Sequence, residues 1–281
     1  MARRKDDGGR DRQGPRPARG PEGRRDERRD HRNDRSQRGD PGHAPIRPPQ
    51  PLLYGMHAVV EALANPRRKL GRLFITENAL ARLKESVGEP RRPPFLVRGD
   101  ELDRLLPQGA VHQGIAVEAE PLPALDIDDL PDNGLVLVLD QITDPHNVGA
   151  IIRTASAFAA DGIIITERHS PEMAGVLAKT ASGGLEHVPL IVVSNLSQAL
   201  MKLGDRGYWR VGLDSDAPAP IGDLAGTRPL ALVLGAEGKG LRRLTRERCD
   251  TMARLDMPGA IKSLNVSNAC AITLYAVTRA D

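Results

Sequence analysis

The sequence predicts an α/β protein in which a disordered amino-terminal tail precedes two folded domains. Residues 1–50 are rich in Arg, Asp, Gly and Pro and almost free of apolar residues. Residues 51–120 carry short strand and helix patterns, and residues 135–281 contain long runs of Leu and β-branched residues between helical patterns. Such runs are typical of strands in a parallel sheet that helices cover on both faces. We therefore expect a small α/β domain followed by a larger parallel-sheet α/β domain.

The tail contains too few apolar residues to offset the entropy that ordering would cost, so we expect it to be disordered. It holds 15 Lys and Arg against 9 Asp and Glu, a net charge of +6, whereas the other 231 residues carry −3. One interpretation is a tether to the phosphate backbone of a nucleic acid, with an affinity that falls as salt rises. The other is a tail that only keeps the protein in solution. The sequence leaves both open.

Composition also excludes several classes of protein. No apolar run is long enough to span a membrane, and the amino terminus has no apolar signal core, so we expect a cytoplasmic protein without membrane contact. Cys249 and Cys270 lie far apart and form no CxxC motif, which makes a disulfide framework or a structural zinc site unexpected. Both cysteines are expected to be buried small apolar residues, and no metal is predicted.

The small domain is predicted from six short patterns. They are a helix "GMHAVVEALANP" ending at Pro66, a strand "RLFIT", a helix around Ala79–Val87, a strand "PFLV", a helix "DELDRLL" and a strand "GIAVEA". Residues 121–134, "PLPALDIDDLPDNG", are predicted to be a linker because Pro, Asp and Gly interrupt both the helical and the strand period.

The large domain is predicted as an alternation of buried strands and helices. The predicted strands are "LVLVLD" (135–140), "GIIIT" (162–166), "VPLIVV" (188–193), "YWRVGL" (208–213) and "PLALVLG" (229–235). The predicted helices are "DPHNVGAIIRTASAF" (144–158), a helix near Glu172–Thr180, one starting near Asn195 and a last one from about Val266. In an open parallel sheet, ligands bind outside the carboxyl ends of the strands, so the stretches that follow the strands are the candidate site.

The first of these stretches, 144–158, predicts a helix with one buried stripe and an unusual outer face. Arg153 lies off the stripe, on a face otherwise made of small residues: Gly149, Ala150, Ser156, Ala157 and Ala160. A solvated arginine explains this face simply. The alternative is that the small face lets a ligand approach closely and that Arg153 meets an anion there.

The second and third stretches are "GAEGKGL" (235–241) and "RLDMPGAIKSLNVSNA" (254–269). The second has neither the spacing nor the hydroxyl residue of a phosphate-binding P-loop. It is either an ordinary glycine turn or a strand end whose backbone approaches a flat ligand, with Glu237 able to pair with a cation such as Arg153. In the third, Ser263, Asn265 and Ser267 can make hydrogen bonds and Asn268 can cap or begin the last helix.

Taken together, "DPHNVGAIIRTASAF", "LVLGAEGKGL" and "MPGAIKSLNVSNACAI" resemble the three signature motifs of the SpoU family of RNA ribose 2′-O-methyltransferases. The resemblance covers residues 135–281 almost throughout, including "KTASGGLEHVPL". Residues 52–120, with "LLYGMHAVVEAL", resemble the ribosomal-protein-like RNA-binding domain of members that modify large-subunit rRNA. The resemblance to the SpoU family implies S-adenosylmethionine as methyl donor, a homodimer, and a trefoil knot at the carboxyl terminus. The implied substrate is a guanosine in the peptidyl-transferase loop of 23S rRNA.

The resemblance also implies which residues form the site. The implied catalytic residues are Arg153, Asn147, Glu237, Ser263 and Asn265. The implied cofactor-binding residues are Gly235, Leu255, Leu264 and Asn265. The sequence departs from the family pattern at Asn268 and Cys270, where small aliphatic residues are expected, and this concerns the packing of the last helix.

Arg153 is expected to bind the phosphate beside the reacting ribose, to orient the hydroxyl and to stabilise its developing negative charge. The family assigns it the role of base, which arginine fills poorly because it keeps its proton in proteins, so proton acceptance stays open. His146 is a candidate base by residue type. Asn147 and Glu237 are expected to hold the guanidinium.

Recognition of RNA by stacked aromatic side chains is largely unavailable, because the chain has three Phe, three Tyr and one Trp. We expect shape and phosphate contacts instead, and the candidate residues in the small domain are Arg67, Arg68, Lys69 and Arg72. The alternative for this cluster is a solvated loop.

Three rival functions are a tRNA methyltransferase of the same family, a non-catalytic RNA-binding assembly factor of the same fold, and a metabolite-binding α/β protein.

Overall fold

The computed structural model describes residues 51–168, 181 and 183–279. The predicted disordered tail, residues 1–50, and the helix predicted near Glu172–Thr180 lie outside the described residues. Helices lie between most of the consecutive strands along the described chain, and the strands form two separate sheets.

The first sheet has four described strands in the order β1-β4-β2-β3. The strands are β1 (Leu52–Tyr54), β2 (Leu70–Ile75), β3 (Pro94–Leu96) and β4 (Ile115–Ala119), and the helices are α1 (Met56–Ala64), α2 (Glu77–Val87) and α3 (Gly99–Leu105). Strand β4 is antiparallel to both β1 and β2, whereas β2 and β3 are parallel. The three predicted strands and three predicted helices are present, and β1 is an addition.

Helices cover both faces of this sheet. Val59 of α1 and Leu83 of α2 pack with Leu73 and Ile75 of β2 in one apolar cluster. Leu102 of α3 belongs to a second cluster with residues of the opposite face of the sheet. Two clusters on two faces give the small domain a core of its own.

The second sheet has seven described strands in the order β7-β6-β5-β10-β8-β11-β9, and every pairing is parallel. The strands are β5 (Leu135–Asp140), β6 (Gly162–Thr166), β7 (Leu190–Val193), β8 (Trp209–Leu213), β9 (Ala219–Pro220), β10 (Leu230–Gly235) and β11 (Thr251–Arg254). The predicted parallel sheet is therefore present. Strands β5 and β10 pair at its centre, where the strand order reverses, and such a switch point is the usual place for a ligand.

Four described α-helices flank this sheet. They are α4 (Pro145–Ala157), α5 (Leu196–Asp205), α6 (Arg243–Glu247) and α7 (Val266–Thr278). Helices α4 and α7 pack together on one face, within the apolar cluster that includes Leu137, Ile151 and Leu274. Helix α5 covers the opposite face, where Leu200 packs with Val138. Both faces are thus buried, which explains the continuous apolar runs in the strands.

Residues 121–134 connect the two sheets but are not an open linker. A 3₁₀ turn at Ile127–Asp129 buries Ile127, and Leu130 beside it is buried in the cluster under α5. Arg206 donates hydrogen bonds to the carbonyl oxygens of Ile127 and Leu130, the latter at 2.6 Å. The segment therefore packs as part of the large domain, because two apolar side chains among its Pro and Asp residues reach the core.

Candidate active site at the carboxyl ends of the strands

A cavity of about 630 Å³ opens at the carboxyl ends of β8, β10 and β11. Its walls include the ends of these strands, the loop after β10 and the segment that leads into α7. Six of the predicted site residues line it: Gly235, Glu237, Leu255, Ser263, Leu264 and Asn265. The structure therefore brings the second and third candidate stretches together around one cavity.

The loop after β10 folds back over the end of its own strand. The Gly240 N–H donates to the Ala236 carbonyl oxygen at 2.8 Å, and Gly238 and Gly240 both have positive φ. A Cβ placed on Gly235 would lie 2.2 Å from the carbonyl carbon of Gly240, a distance that no side chain can occupy. Only glycine at position 235 allows this closed loop.

A buried carboxylate, which the sequence analysis did not single out, anchors the far end of this loop. Asp140 at the carboxyl end of β5 has a fully buried side chain. It accepts hydrogen bonds from the backbone N–H of Arg242 at 3.0 Å and from Arg242 Nε at 2.6 Å. The sequence signal for this residue is its position, because Asp140 ends the apolar run "LVLVLD". A carboxylate that is buried at the end of such a strand needs a partner.

The first and third stretches meet at a pair of asparagines. Asn265 caps α7 by accepting hydrogen bonds from the Ser267 N–H at 2.9 Å and the Ser267 hydroxyl at 2.6 Å. Its Nδ2 donates to Oδ1 of Asn147, in the first turn of α4, at 2.9 Å. The cap is thus Asn265, not Asn268, which is exposed one turn into the helix. This contact joins α4 to the segment that lines the cavity.

Arg153 lies elsewhere. It is exposed on α4, six residues beyond Asn147, or about 9 Å along the helix axis. Its side chain makes no hydrogen bond or ion pair with another described residue and does not line the cavity. The expected contacts of its guanidinium with Asn147 and Glu237 are therefore absent from the described chain. Asn147 Oδ1 instead accepts a hydrogen bond from Asn265, and Glu237 is among the cavity residues, which do not include Arg153.

Charges of both signs surround the cavity. The Asp214 carboxylate accepts the Asp216 N–H at 2.9 Å and pairs with Arg246, and these interactions hold the pKa of Asp214 below its ordinary value. Lys239 and Lys262 also contribute to the walls. The candidate base His146 is exposed and is not among the cavity residues.

Neither cysteine is poised as a nucleophile. Burial raises the pKa of Cys249 to about 11 and that of Cys270 to about 12, so both thiols stay protonated near neutral pH. Among the described residues, no group of three His, Cys, Asp or Glu side chains is placed to hold a metal ion. No helix in the same residues is both long and apolar enough to cross a membrane.

The basic cluster of the small domain divides into two pairs. The side chains of Arg67 and Lys69 point outward; Lys69 is 82% exposed, and its Nζ lies 3.7 Å from a carboxylate oxygen of Glu120. Arg72 pairs with Glu118 at 2.6 Å and remains 43% exposed.

The prediction that Arg68 contacts RNA is wrong for this structure, because its side chain is 7% exposed and is paired with Glu186 at 2.5 Å. A charge locked in a buried ion pair cannot reach a phosphate.

Two family models match the chain, one on each domain. Residues 134–275 match the SpoU rRNA methylase family, and residues 52–125 match the substrate-binding domain of RNA 2′-O ribose methyltransferases. The chain belongs to the SpoU rRNA methylase family. The predicted family and the predicted α/β methyltransferase fold are confirmed, and the trefoil knot stays a prediction.

Individual relatives agree with this assignment. A 23S rRNA (guanosine-2′-O-)-methyltransferase of Pseudomonas putida is 37% identical over 238 residues, which cover 81% of this chain and 95% of the relative. The enzyme of the same description from Ralstonia nicotianae is 38% identical over 236 residues, with 81% and 95% covered. The SpoU methyltransferase AviRb of Streptomyces viridochromogenes, solved with S-adenosylmethionine, superposes with a TM-score of 0.68 at 25% identity over 80% of this chain and 88% of its own. The predicted enzyme class, an RNA methyltransferase that uses S-adenosylmethionine, is confirmed at the level of the family.

Proposed function

We propose that this chain methylates the 2′-hydroxyl of a guanosine in 23S rRNA, as a cytoplasmic homodimer with S-adenosylmethionine as donor. The observation that carries the proposal is the extent of the match. Relatives named for this activity align with both domains, and the alignments cover 95% of the length of each relative. An enzyme for tRNA or a non-catalytic factor would share the fold, but the match includes the substrate-binding domain as well as the methylase domain.

The cavity suits S-adenosylmethionine in size and in chemistry. Its volume of about 630 Å³ lies within the range of roughly 300–1,000 Å³ that is common for small-molecule sites. The closed loop at Gly235 brings backbone to the cavity without intervening side chains, and Leu255 and Leu264 provide apolar surface. We therefore assign Gly235, Leu255, Leu264 and Asn265 to the cofactor.

The bound cofactor supplies a methyl group on a positively charged sulfur, which is already a strong electrophile. The work left to the chain is to place the ribose hydroxyl in line with that methyl group and to stabilise the negative charge that develops on its oxygen. Arg153 suits this role because its guanidinium is exposed and has no partner among the described residues. Ser263 and Glu237, both exposed at the cavity, are proposed to orient the nucleotide.

The homodimer is proposed for two reasons. First, Arg153 does not line the cavity of its own described chain, so a second protomer is needed if Arg153 is to complete a site. Second, α7 exposes two large side chains, Ile272 at 46% and Tyr275 at 55%, on a helix that is otherwise largely apolar. Burial of such residues against a second copy is favourable. Sedimentation of the purified protein tests the dimer directly.

A methyl-transfer assay tests the function. Unmodified 23S rRNA and unmodified tRNA are each incubated with labelled S-adenosylmethionine, and the modified position is mapped. We expect one 2′-O-methylguanosine in 23S rRNA and none in tRNA, and we expect Arg153→Ala to abolish transfer while leaving cofactor affinity unchanged. Methylation of tRNA alone would establish the tRNA enzyme, and cofactor-independent RNA binding without transfer would establish the assembly factor.

A further inference from the structure

One short segment of the large domain lies between the small domain and the helix that carries Arg153. Residues 183–187, with the sequence GGLEH, belong to the stretch "KTASGGLEHVPL", to which the proposed function gives no role. The segment contains a 3₁₀ turn at Gly184–Glu186, which contacts both α1 and α4. We call residues 183–187 the seam segment.

The two glycines of the seam segment face opposite neighbours. A Cβ on Gly183, which has φ of +87°, would lie 2.3 Å from Cγ of Glu61 in α1. A Cβ on Gly184 would lie 3.0 Å from the carbonyl oxygen of Ile152 and 3.2 Å from Cα of Arg153. The backbone of the seam segment therefore lies against the Glu61 side chain of α1 at Gly183 and against the backbone of Ile152 and Arg153 at Gly184.

The next two residues tie the same segment to both cores. Leu185 packs against the apolar cluster of the large domain and against the cluster of the small domain. Glu186 is 2% exposed in its side chain and accepts hydrogen bonds from Arg68, at 2.5 Å to Nη2, and from Asn65 Nδ2 at 2.8 Å. Arg68 also donates to the Glu120 carbonyl oxygen at 2.7 Å. The carboxylate is thus buried but fully satisfied by groups of the small domain.

The last residue of the segment adds a more exposed contact. His187 Nε2 lies 2.8 Å from Oε2 of Glu61, in a hydrogen bond that Nε2 donates. Residues 184–187 thus contact α4, the apolar cores of both domains, and polar groups of the small domain. Packed groups of this kind transmit a displacement because interiors have few voids that could absorb it.

We propose that the seam segment couples the position of the small domain to the position of Arg153, and that Arg68 and Glu186 are positioning residues for methyl transfer. RNA held by the small domain would thereby determine where the guanidinium on α4 lies relative to the ribose. The inference rests on the proposed role of Arg153 in the reaction. A displacement of about 1 Å at a catalytic group can cost about 100-fold in rate, so the coupling has a measurable consequence.

Two variants weaken the coupling at different points, and each has a matched control. Glu186→Gln keeps the shape of the side chain and removes its charge, and Glu89→Gln makes the same change at an exposed ion pair of the small domain. Gly184→Ala adds a methyl group against the backbone of Arg153, and Gly222→Ala adds one where no atom lies within 4 Å. If thermal unfolding shows that Glu186→Gln does not fold, Arg68→Lys replaces it as the test variant.

The first readout is the single-turnover rate of methyl transfer to 23S rRNA at saturating RNA and cofactor. We expect both test variants to lower this rate at least tenfold while the Kd for S-adenosylmethionine stays within twofold, and both controls to match the wild type. If the contact only holds the two domains together, the variants would raise the RNA concentration that gives half the maximal rate and leave the rate at saturation unchanged. That result would overturn the proposal.

The second readout needs no activity. Hydrogen exchange of the α4 amides around Arg153 should be at least tenfold faster in Glu186→Gln than in Glu89→Gln, measured on the full chain without RNA. Equal exchange in the two proteins would refute the coupling. If the wild type methylates no RNA, the proposed function fails while the exchange result still decides the coupling.

Discussion

Gly235→Ala tests whether the closed loop after β10 forms the cofactor site. The added Cβ would lie 2.2 Å from the carbonyl carbon of Gly240, 2.4 Å from the nitrogen of Leu241 and 2.5 Å from the carbonyl oxygen of Gly240. Carbon atoms in contact prefer separations of about 3.5 Å or more, so the loop must move by about 1 Å. All three neighbours are backbone atoms, and no rotamer change can relieve the clash.

The size of the effect follows from this displacement. Overpacking a well-packed site costs about 1–3 kcal/mol. If that cost falls on the loop geometry that the cofactor requires, the Kd for S-adenosylmethionine rises about 5- to 150-fold, since each 1.4 kcal/mol is tenfold. Central packing should survive, because Gly235 is at the end of β10 and is only half-buried.

Calorimetric titration with S-adenosylmethionine measures this Kd, and thermal unfolding of the same samples separates a binding defect from a folding defect. Gly222→Ala is the matched control, because its Cβ meets no atom within 4 Å. A Kd for Gly235→Ala within twofold of the wild type would refute the assignment of this loop to the cofactor.

Three further predictions concern the loop anchor, the pH dependence of stability and the tail. Asp140→Asn should weaken cofactor binding without unfolding the sheet, because the Arg242 N–H and Nε lose a buried carboxylate that holds the loop, a change worth about 1–3 kcal/mol; an unchanged titration would contradict it. The hydrogen bond from Arg210 lowers the pKa of Asp250, so the pair stabilises the fold above pH ~4 and loses this effect as pH falls through the lowered pKa. Asp250→Asn should therefore reduce the urea midpoint at pH 7 more than at pH 3, and an equal reduction at both would exclude the ion pair as the cause. Deletion of residues 1–50 should lower RNA affinity modestly and flatten its salt dependence, and an unchanged salt slope would leave the tail only a role in solubility.

The large sheet was predictable from the sequence because its central strands are buried on both faces. Strands β5 and β10 consist of uninterrupted apolar residues up to their last position, and such a run of six residues is the length of a strand and shorter than most helices. Strand β11 was missed for the opposite reason. Its four residues, "TMAR", bury only Ala253 completely, so they show neither a continuous apolar run nor a clear alternation.

The sequence could not separate the four basic residues of the small domain. Arg67, Arg68, Lys69 and Arg72 are all basic and lie within six consecutive positions, yet Arg68 is buried and Lys69 is almost fully exposed. The difference comes from Glu186, which lies 118 residues away in the chain. Likewise, the Pro and Asp residues of 121–134 correctly predict irregular backbone, but they carry no information on whether Ile127 and Leu130 find a core to enter.

The face of α4 around Arg153 was expected to be open to a ligand, and only part of it is exposed. Gly149 and Ala160 are buried, whereas Arg153 and Ala157 are exposed. Gly184 lies against the backbone of Ile152 and Arg153, where any larger residue would meet backbone atoms at 3.0–3.3 Å. The backbone of Arg153 is thus held by its own chain while its side chain stays exposed. The role proposed for Arg153 needs this combination, because a fixed backbone limits the positions that a long, mobile guanidinium can reach.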